Sequence, residues 1–295
     1  MFFDPFKKEV IDYVDGKKDL KAKLIRAIGD PTKRFKEDRL RMIRAVRMAV
    51  RFNFQIEEKT KAAILKYAKE LFPSVAIERV FQELNKMAKN INFKKGLFLL
   101  FDLQLLEAIF PKLKGIKRKE LEKRLFDTEL IPQHALTIAK LLPLFGTSSL
   151  EEKIELCQYL KLSTEELKYV TFYDNLEKIL AENKPLDDFE AVELLASPFC
   201  EIALECFAIR FPLTERKAFL EKYFQQTNLL KHFIIRKQKN EPVVKAKHLM
   251  KAGITPSPLM GALLKEAEKI AVNSKIEEVD EIIVLLKKSS LWPKT

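Results

Sequence analysis

Glycine is scarce in this chain, with 7 in 295 residues, and there is a single tryptophan. So little glycine leaves few positions for the left-handed turns that a meandering β fold needs, while the Leu, Lys, Glu, Ala and Ile content favours helices. The three cysteines, Cys157, Cys200 and Cys206, are odd in number and lack C-x-x-C spacing, which excludes a disulfide framework and a thiolate metal site. They read as buried thiols of a reducing cytoplasm. The three histidines, His134, His232 and His248, are too dispersed to form a metal cluster. No apolar run is long enough to cross a bilayer, since the longest, LFLLFDLQLLEAIF, is broken by Asp102. No basic-then-apolar leader opens the chain and no amphipathic basic helix with exposed aromatics is evident, so no membrane partner is expected and a cytoplasmic location is. There is neither a fixed-period repeat nor a low-complexity tract.

What is present is charge and helical periodicity. With 47% hydrophobic residues the chain can bury sizeable cores, and its formal net charge of +12 points to a polyanionic partner such as RNA. The opening residues predict two short strands, Phe2–Phe3 and Val10–Tyr13, joined after Pro5, a pairing too small to stand alone. After Gly16 the pattern turns helical. Asp30-Pro31 supplies an N-cap and a first-turn proline. Further helices are expected at about 57–70, 75–89, 94–108, 117–127, 132–144, 149–160, 163–181, 187–195, 198–209, 214–225 and 228–238. In the tail, one helix is expected to end at Gly253 and another to start after Pro256 or Pro258.

The segment KRFKEDRLRMIRAVRMAVRF (33–52) carries most of the chemistry. Leu40, Ile43, Val46, Val50 and Phe54 form one apolar stripe, Asp38, Arg41 and Ala45 fall on the opposite side, and Arg47 flanks the stripe. Two readings of Asp38 and Arg41 stand side by side. One is an i,i+3 ion pair. The other is an acceptor-only carboxylate beside a donor-only guanidinium, which complements the adjacent amino group and ring acceptor of cytosine and adenine, where uracil and guanine present a carbonyl and a ring N–H instead.

These stretches together resemble the class II tRNA nucleotidyltransferase (CCA-adding enzyme) and bacterial poly(A) polymerase family. DYVDGKKDL is similar to the family's hinge motif, at Asp12, Gly16 and Asp19. Glu37, Asp38 and Arg41 match its E-D-x-x-R signature, with Arg44 one turn on. AIERVFQEL matches E-R-x-x-x-E-L at Glu78, Arg79, Glu83 and Leu84. HLMKAGITPSPLMGALLKEA resembles the tail, with Ala246 and Ser257 where relatives carry glycines.

The resemblance implies a mainly α fold: a head remnant and hinge over 1–20, a nucleotide-selecting, RNA-binding neck over 21–92, a helical body over 93–239 and a tail over 240–295. The N-terminal β-hairpin would be the remnant of the nucleotidyltransferase head. It implies nucleotide binding by Glu37, Asp38, Arg41 and Arg44, with Glu37 positioning Arg41 or capping its helix. Glu78, Arg79 and Glu83 are expected to brace the neck, Glu78 as a helix cap and Glu83 as partner of an arginine. Lys245, Lys247 and His248 are candidates for RNA phosphates. The implied partners are tRNA or other RNA 3′ ends, ATP and CTP, and a separate head polypeptide.

The family's Gly-Gly loop and D-x-D magnesium pair are absent from the sequence, and Asp187-Asp188 reads as a helix cap. No catalytic residue and no metal ligand is therefore assigned, and magnesium is expected only in a complete enzyme with a head. The function so implied is the RNA-binding, nucleotide-selecting portion of an RNA 3′-end-adding enzyme, inactive without a head. The alternative is a headless, non-catalytic RNA-binding adaptor. An HD-type phosphohydrolase is disfavoured by the lack of a His-Asp pair.

Overall fold

The computed structural model describes residues 1–182 and 185–293. They form two compact units, Met1–Thr171 and Phe172–Thr295, with the division falling inside one helix.

The first unit opens with an antiparallel hairpin, β1 (Phe2–Asp4) and β2 (Glu9–Ile11), in which Phe2 pairs with Ile11 and Asp4 with Glu9. The second strand stops two residues short of the expected Tyr13. Asp12 ends it by turning its carboxylate onto the following backbone, accepting from Val14 N–H at 3.2 Å, Gly16 N–H at 3.0 Å and Lys17 N–H at 2.7 Å. A short helix α1 (Gly16–Lys21) follows. Two further strands that the residue pattern does not signal, β3 (Leu24–Ile25) and β4 (Gln55–Ile56), pair in parallel and hold the two ends of the intervening helical segment together.

Between them lie α2 (Pro31–Glu37) and α3 (Leu40–Phe52). The Asp30 side chain caps α2 by accepting from Thr32 N–H at 2.9 Å. Leu40, Ile43, Val46 and Val50 of the expected stripe are buried in α3, with Ile43 and Val46 fully enclosed, while Phe54 lies beyond the helix end and is half-buried. α4 (Glu58–Tyr67), α5 (Ile77–Ala88) and α6 (Phe93–Asp102) complete the first core. α3 packs on both α5 and α6, setting Ile43, Val46 and Val50 among Leu84, Met87, Leu97 and Leu100, all buried. Each such side chain contributes about 1.5–3 kcal/mol by leaving water. Gly96 permits the close approach, because a Cβ there would stand 2.8 Å from Met87 Sδ and 2.9 Å from Val50 Cγ2.

The single helix expected over 94–108 is broken. α6 ends at Asp102, Gln104 turns left-handed at φ 56°, and α7 (Leu105–Ile109) restarts. The kink lets Leu100, Leu103, Leu105, Leu106 and Ile109 all be buried, which one straight helix could not do for so dense an apolar run. α8 (Arg118–Arg124), α9 (Thr137–Leu141) and α10 (Leu150–Tyr159) follow. Thr137 is five residues later than the expected start at 132. Ser149 and Glu152 close a reciprocal capping box at the head of α10. α11 (Thr164–Glu182) carries the chain out of the first unit.

The second unit contains α12 (Asp188–Leu195), α13 (Cys200–Ala208), α14 (Leu213–Leu229), α15 (Lys231–Gln238), α16 (Ala246–Lys251), α17 (Pro258–Ser274) and α18 (Val279–Leu286). Val244, Leu249, Ile254, Leu263, Ala267, Ala271, Ile282 and Leu286 form its terminal core, against which Trp292 packs. Gly253, at φ 93°, turns the chain out of α16 as the residue pattern predicts. Among the described residues no helix is long and apolar enough to cross a membrane.

Candidate functional site

The six arginines between α2 and the end of α3 could not all face solvent on two regular helices without mutual repulsion, and each is placed by a specific acceptor or aromatic ring. At the junction the backbone breaks. Asp38 is extended, at φ −152° and ψ 106°, and stands between the two helices rather than on either. Its Oδ1 accepts from Leu40 N–H at 3.0 Å and its carbonyl accepts from Arg41 N–H at 3.2 Å, so it serves the start of α3 as a cap would. This corrects the expectation that Asp38 and Arg41 share a helix face as an i,i+3 pair. The extended backbone takes Asp38 off the helix face, and Arg41 turns instead to Glu37.

Arg41 pairs with Glu37. Its Nη1 donates to Glu37 Oε2 at 2.6 Å and to the Arg34 carbonyl at 3.0 Å, and Arg34 Nη1 reaches the same Glu37 oxygen at 2.6 Å. The Arg41 hydrogen bond, against a small desolvation cost and with Arg34 assisting, holds the Glu37 carboxyl below its ordinary value. Glu37 is thus a fully ionised hub, and it leaves Arg41 Nε and Nη2 without an acceptor among the described residues. The i,i+4 spacing of Glu37 and Arg41 was the signal in the sequence that could have found this pair.

The other oxygen of Asp38 faces a residue 41 positions away, with Arg79 Nη2 at 3.5 Å from Oδ2. Arg79 is in the first turn of α5, whose N-cap is Ala76 with no side-chain cap. Glu78 accordingly does not cap the helix by hydrogen bonding. It lies in the first turn, where a negative charge meets the positive end of the helix dipole.

One turn further along α3, Arg44 and Arg47 converge with Lys86 on Glu83. Glu83 is 2% exposed, and its oxygens lie 2.6 Å from Arg47 Nε, 3.2 Å from Lys86 Nζ and 3.4 Å from Arg44 Nε. The Arg47 N–H is not aligned on the oxygen, so that contact is an ion pair rather than a hydrogen bond. Burial pushes the Glu83 carboxyl up, while Lys86 and Arg47 more than offset it, leaving it below its ordinary value. Arg39, which the residue pattern did not single out, donates to the Phe35 carbonyl at 2.6 Å, pairs with Glu70 and sits 4.6 Å over the Tyr67 ring.

The remaining candidates lie apart. Asp19 receives Arg26 Nε on both oxygens, at 3.2 and 3.1 Å, beyond the turn that Asp12 builds. Gly16 opens α1, where a Cβ would meet Met1 Cγ at 3.0 Å. In the second unit Lys245 and Lys247 are exposed. His248 Nδ1 accepts the Lys245 N–H at 3.2 Å, and burial, together with Lys247, Lys251 and Lys245, pushes its pKa down.

Among the described residues no three His, Cys, Asp or Glu side chains stand together as ligands. Asp187 Oδ1 accepts Glu190 N–H at 2.8 Å as the cap of α12. These residues do not fit a magnesium pair.

A family model described as the probable RNA and SrmB-binding site of polymerase A matches residues 53–116. Over 264 residues the chain is 31% identical to a CCA-adding enzyme of Lacticaseibacillus paracasei, covering 89% of this chain and 62% of the relative. Over 279 residues it is 26% identical to the CCA-adding enzyme of Lactobacillus helveticus, covering 93% and 65%. It therefore spans less than two thirds of the length of these two relatives. The crystal structure of the Bacillus stearothermophilus CCA-adding enzyme in complex with CTP superposes with a TM-score of 0.70 at 22% identity, over 94% of this chain and 68% of that one. The Thermotoga maritima CCA-adding enzyme complexed with tRNA gives 0.56 at 21%, over 94% and 67%. At these identities the superpositions establish a shared fold.

Proposed function

The chain belongs to the CCA-adding enzyme and poly(A) polymerase family, and from that premise we propose that it is the RNA-binding, nucleotide-selecting part of an RNA 3′-end-adding enzyme. The observation that carries the reading is the pair of fixed but incompletely used groups at the α2–α3 junction. Asp38 spends one oxygen on Leu40 N–H and meets Arg79 only at 3.5 Å with the other. Arg41 is held through Nη1 by Glu37 and keeps further donors for a ligand. An acceptor and a donor, each anchored by a different neighbour, can meet the amino group and ring acceptor of cytosine or adenine without rearranging the backbone. Uracil and guanine would set acceptor against acceptor and donor against donor, which costs far more than it returns.

In this reading Glu37 orients Arg41, Arg79 steadies Asp38, and Glu83 holds Arg44 and Arg47 against the neck. Asp12, Gly16 and Asp19 shape the hinge. The +12 charge serves RNA phosphates, with Lys245, Lys247 and His248 contributing from the tail. The metal-assisted attack of a 3′ hydroxyl on an α-phosphate requires carboxylates that the described residues do not supply, so the chain by itself is proposed to bind without catalysing addition.

Titration of the purified chain with labelled tRNA at several salt concentrations, alongside binding of the four ribonucleoside triphosphates, tests the proposal. Expected are tRNA affinity that falls steeply with salt and preferential binding of CTP and ATP. Absence of tRNA binding at low salt, or equal affinity for UTP and GTP, would overturn it. Incubation with tRNA, magnesium, ATP and CTP is expected to yield no incorporation, and turnover with host enzyme excluded would show a metal site elsewhere in the chain.

A further inference from the structure

Asp38 stands before the first residue of α3, and a second set of functional side chains gathers at the other end of that 13-residue helix, about 20 Å away by helix rise. Phe52, the last residue of α3, is 46% exposed, and Phe126 is 73% exposed. Burial of either ring would be favourable, yet both are left in water.

A cation attends each ring. The Arg51 guanidinium lies 5.4 Å from the Phe52 centroid, and the Lys94 ammonium 5.9 Å from that of Phe126. The chain at each ring is tied to the first turn of α6 by a lysine. Lys95 Nζ donates to Asn53 Oδ1 at 2.6 Å, beside Phe52. Lys94 Nζ donates to the Phe126 carbonyl at 2.8 Å and pairs with Glu129 at 2.6 Å. Phe52 is further fixed by a tilted stack on Phe54, with centroids 5.7 Å apart. Lys89, exposed in the turn before α6, adds another positive charge.

We propose that Phe52 and Phe126, with Arg51, Lys89, Lys94 and Lys95, form a binding platform for unpaired nucleotides of RNA. The rings take base faces and the cations take the phosphates between them. This deepens the RNA-binding reading above and rests on it. Four cations against two acids, Asp127 and Glu129, suit a polyanion better than an apolar protein segment, and rings attended by cations lose little freedom on stacking. The platform is separate from the base-reading pair at the other end of α3, so one strand can engage both.

The test uses the purified chain and a short single-stranded RNA carrying 2-aminopurine, with a duplex of the same sequence and tRNA as comparators. Binding is expected to quench the 2-aminopurine. Phe52→Ala and Phe126→Ala, both at exposed positions and checked for wild-type circular dichroism, are expected to weaken single-strand binding about tenfold each with an unchanged salt slope. Phe126→Trp is expected to retain affinity, whereas Lys95→Ala is expected to retain quenching but lower the salt slope by about one. Wild-type affinity and quenching in both alanine variants would overturn the platform and assign the rings to protein docking. Binding of tRNA without binding of the single-stranded probe would also overturn it while leaving the RNA-binding reading intact. Failure to bind either would remove both.

Discussion

Glu83 on α5 and Arg47 on α3 meet at 2.6 Å with the carboxylate 2% and the guanidinium 18% exposed. This places an ion pair inside the helix packing that supports the whole α2–α3 junction. The attraction is strong because water is largely excluded, and for the same reason neither partner tolerates loss of the other.

Glu83→Gln is therefore expected to destabilise the first unit by about 3 kcal/mol, since it leaves the Arg47 charge facing a neutral amide. Urea denaturation followed by circular dichroism measures it. The double variant Glu83→Leu with Arg47→Met removes both charges and is expected to cost less than Glu83→Gln alone. A double variant that is the more damaged of the two would show that the pair contributes packing rather than electrostatics.

Acid should weaken the same region. The Glu83 carboxyl is held below its ordinary value, with burial opposed and exceeded by Lys86 and Arg47. Its stabilising contribution is then fully present above the unfolded value of about 4.3 and is lost as pH falls through the lower folded value. Thermal melts between pH 7 and pH 3 are expected to fall more steeply below about pH 4 in the wild type than in Glu83→Gln. Parallel curves would assign acid lability to other carboxylates, with Asp12, lowered chiefly by the Lys17 N–H, the next to examine.

Gly96→Ala probes the close contact of α6 with α3 and α5. The new methyl would stand 2.8 Å from Met87 Sδ and 2.9 Å from Val50 Cγ2. Met87 can swing aside, but the branched Val50 cannot rotate freely in a helix. A loss of about 1–3 kcal/mol is expected from overpacking, although alanine otherwise favours a helix. The double variant with Val50→Ala should recover part of the loss, and no recovery would locate the strain at Met87.

Asp38→Ala and Arg41→Ala are expected to erode discrimination of CTP and ATP over UTP and GTP by about tenfold or more, because each removes one half of the complementary pair. Arg79→Ala is expected to have a smaller effect in the same direction, since it frees the second Asp38 oxygen without removing it. Equilibrium binding of the four nucleotides to each variant separates these outcomes. Unchanged selectivity in both Asp38→Ala and Arg41→Ala would leave these residues with the structural role of closing the α2–α3 junction.

Much of this organisation is written in the local order of residues. Leu40, Ile43, Val46 and Val50 repeat at helical spacing, Asp30-Pro31 and Gly253 punctuate helices, and the paucity of glycine argues for a helical fold, because periodicity and capping act within a few residues and do not depend on partners. The break between α2 and α3 was not legible. KEDRLR reads as unbroken helix, and only the Leu40 N–H, the Arg79 guanidinium and the packing of α2 on α4 make the extended conformation of Asp38 preferable. The kink at Gln104 is likewise decided by the core, which accepts the dense run of leucines only when the helix turns. Residue order alone determined which side chains carry charge and which stretches turn helical, but not where those stretches break. Which acid meets which arginine, Glu37 with Arg41, Asp38 with Arg79 and Glu83 with Arg47, was decided by tertiary structure, because ion pairs form between whichever groups helix packing brings within a few ångströms.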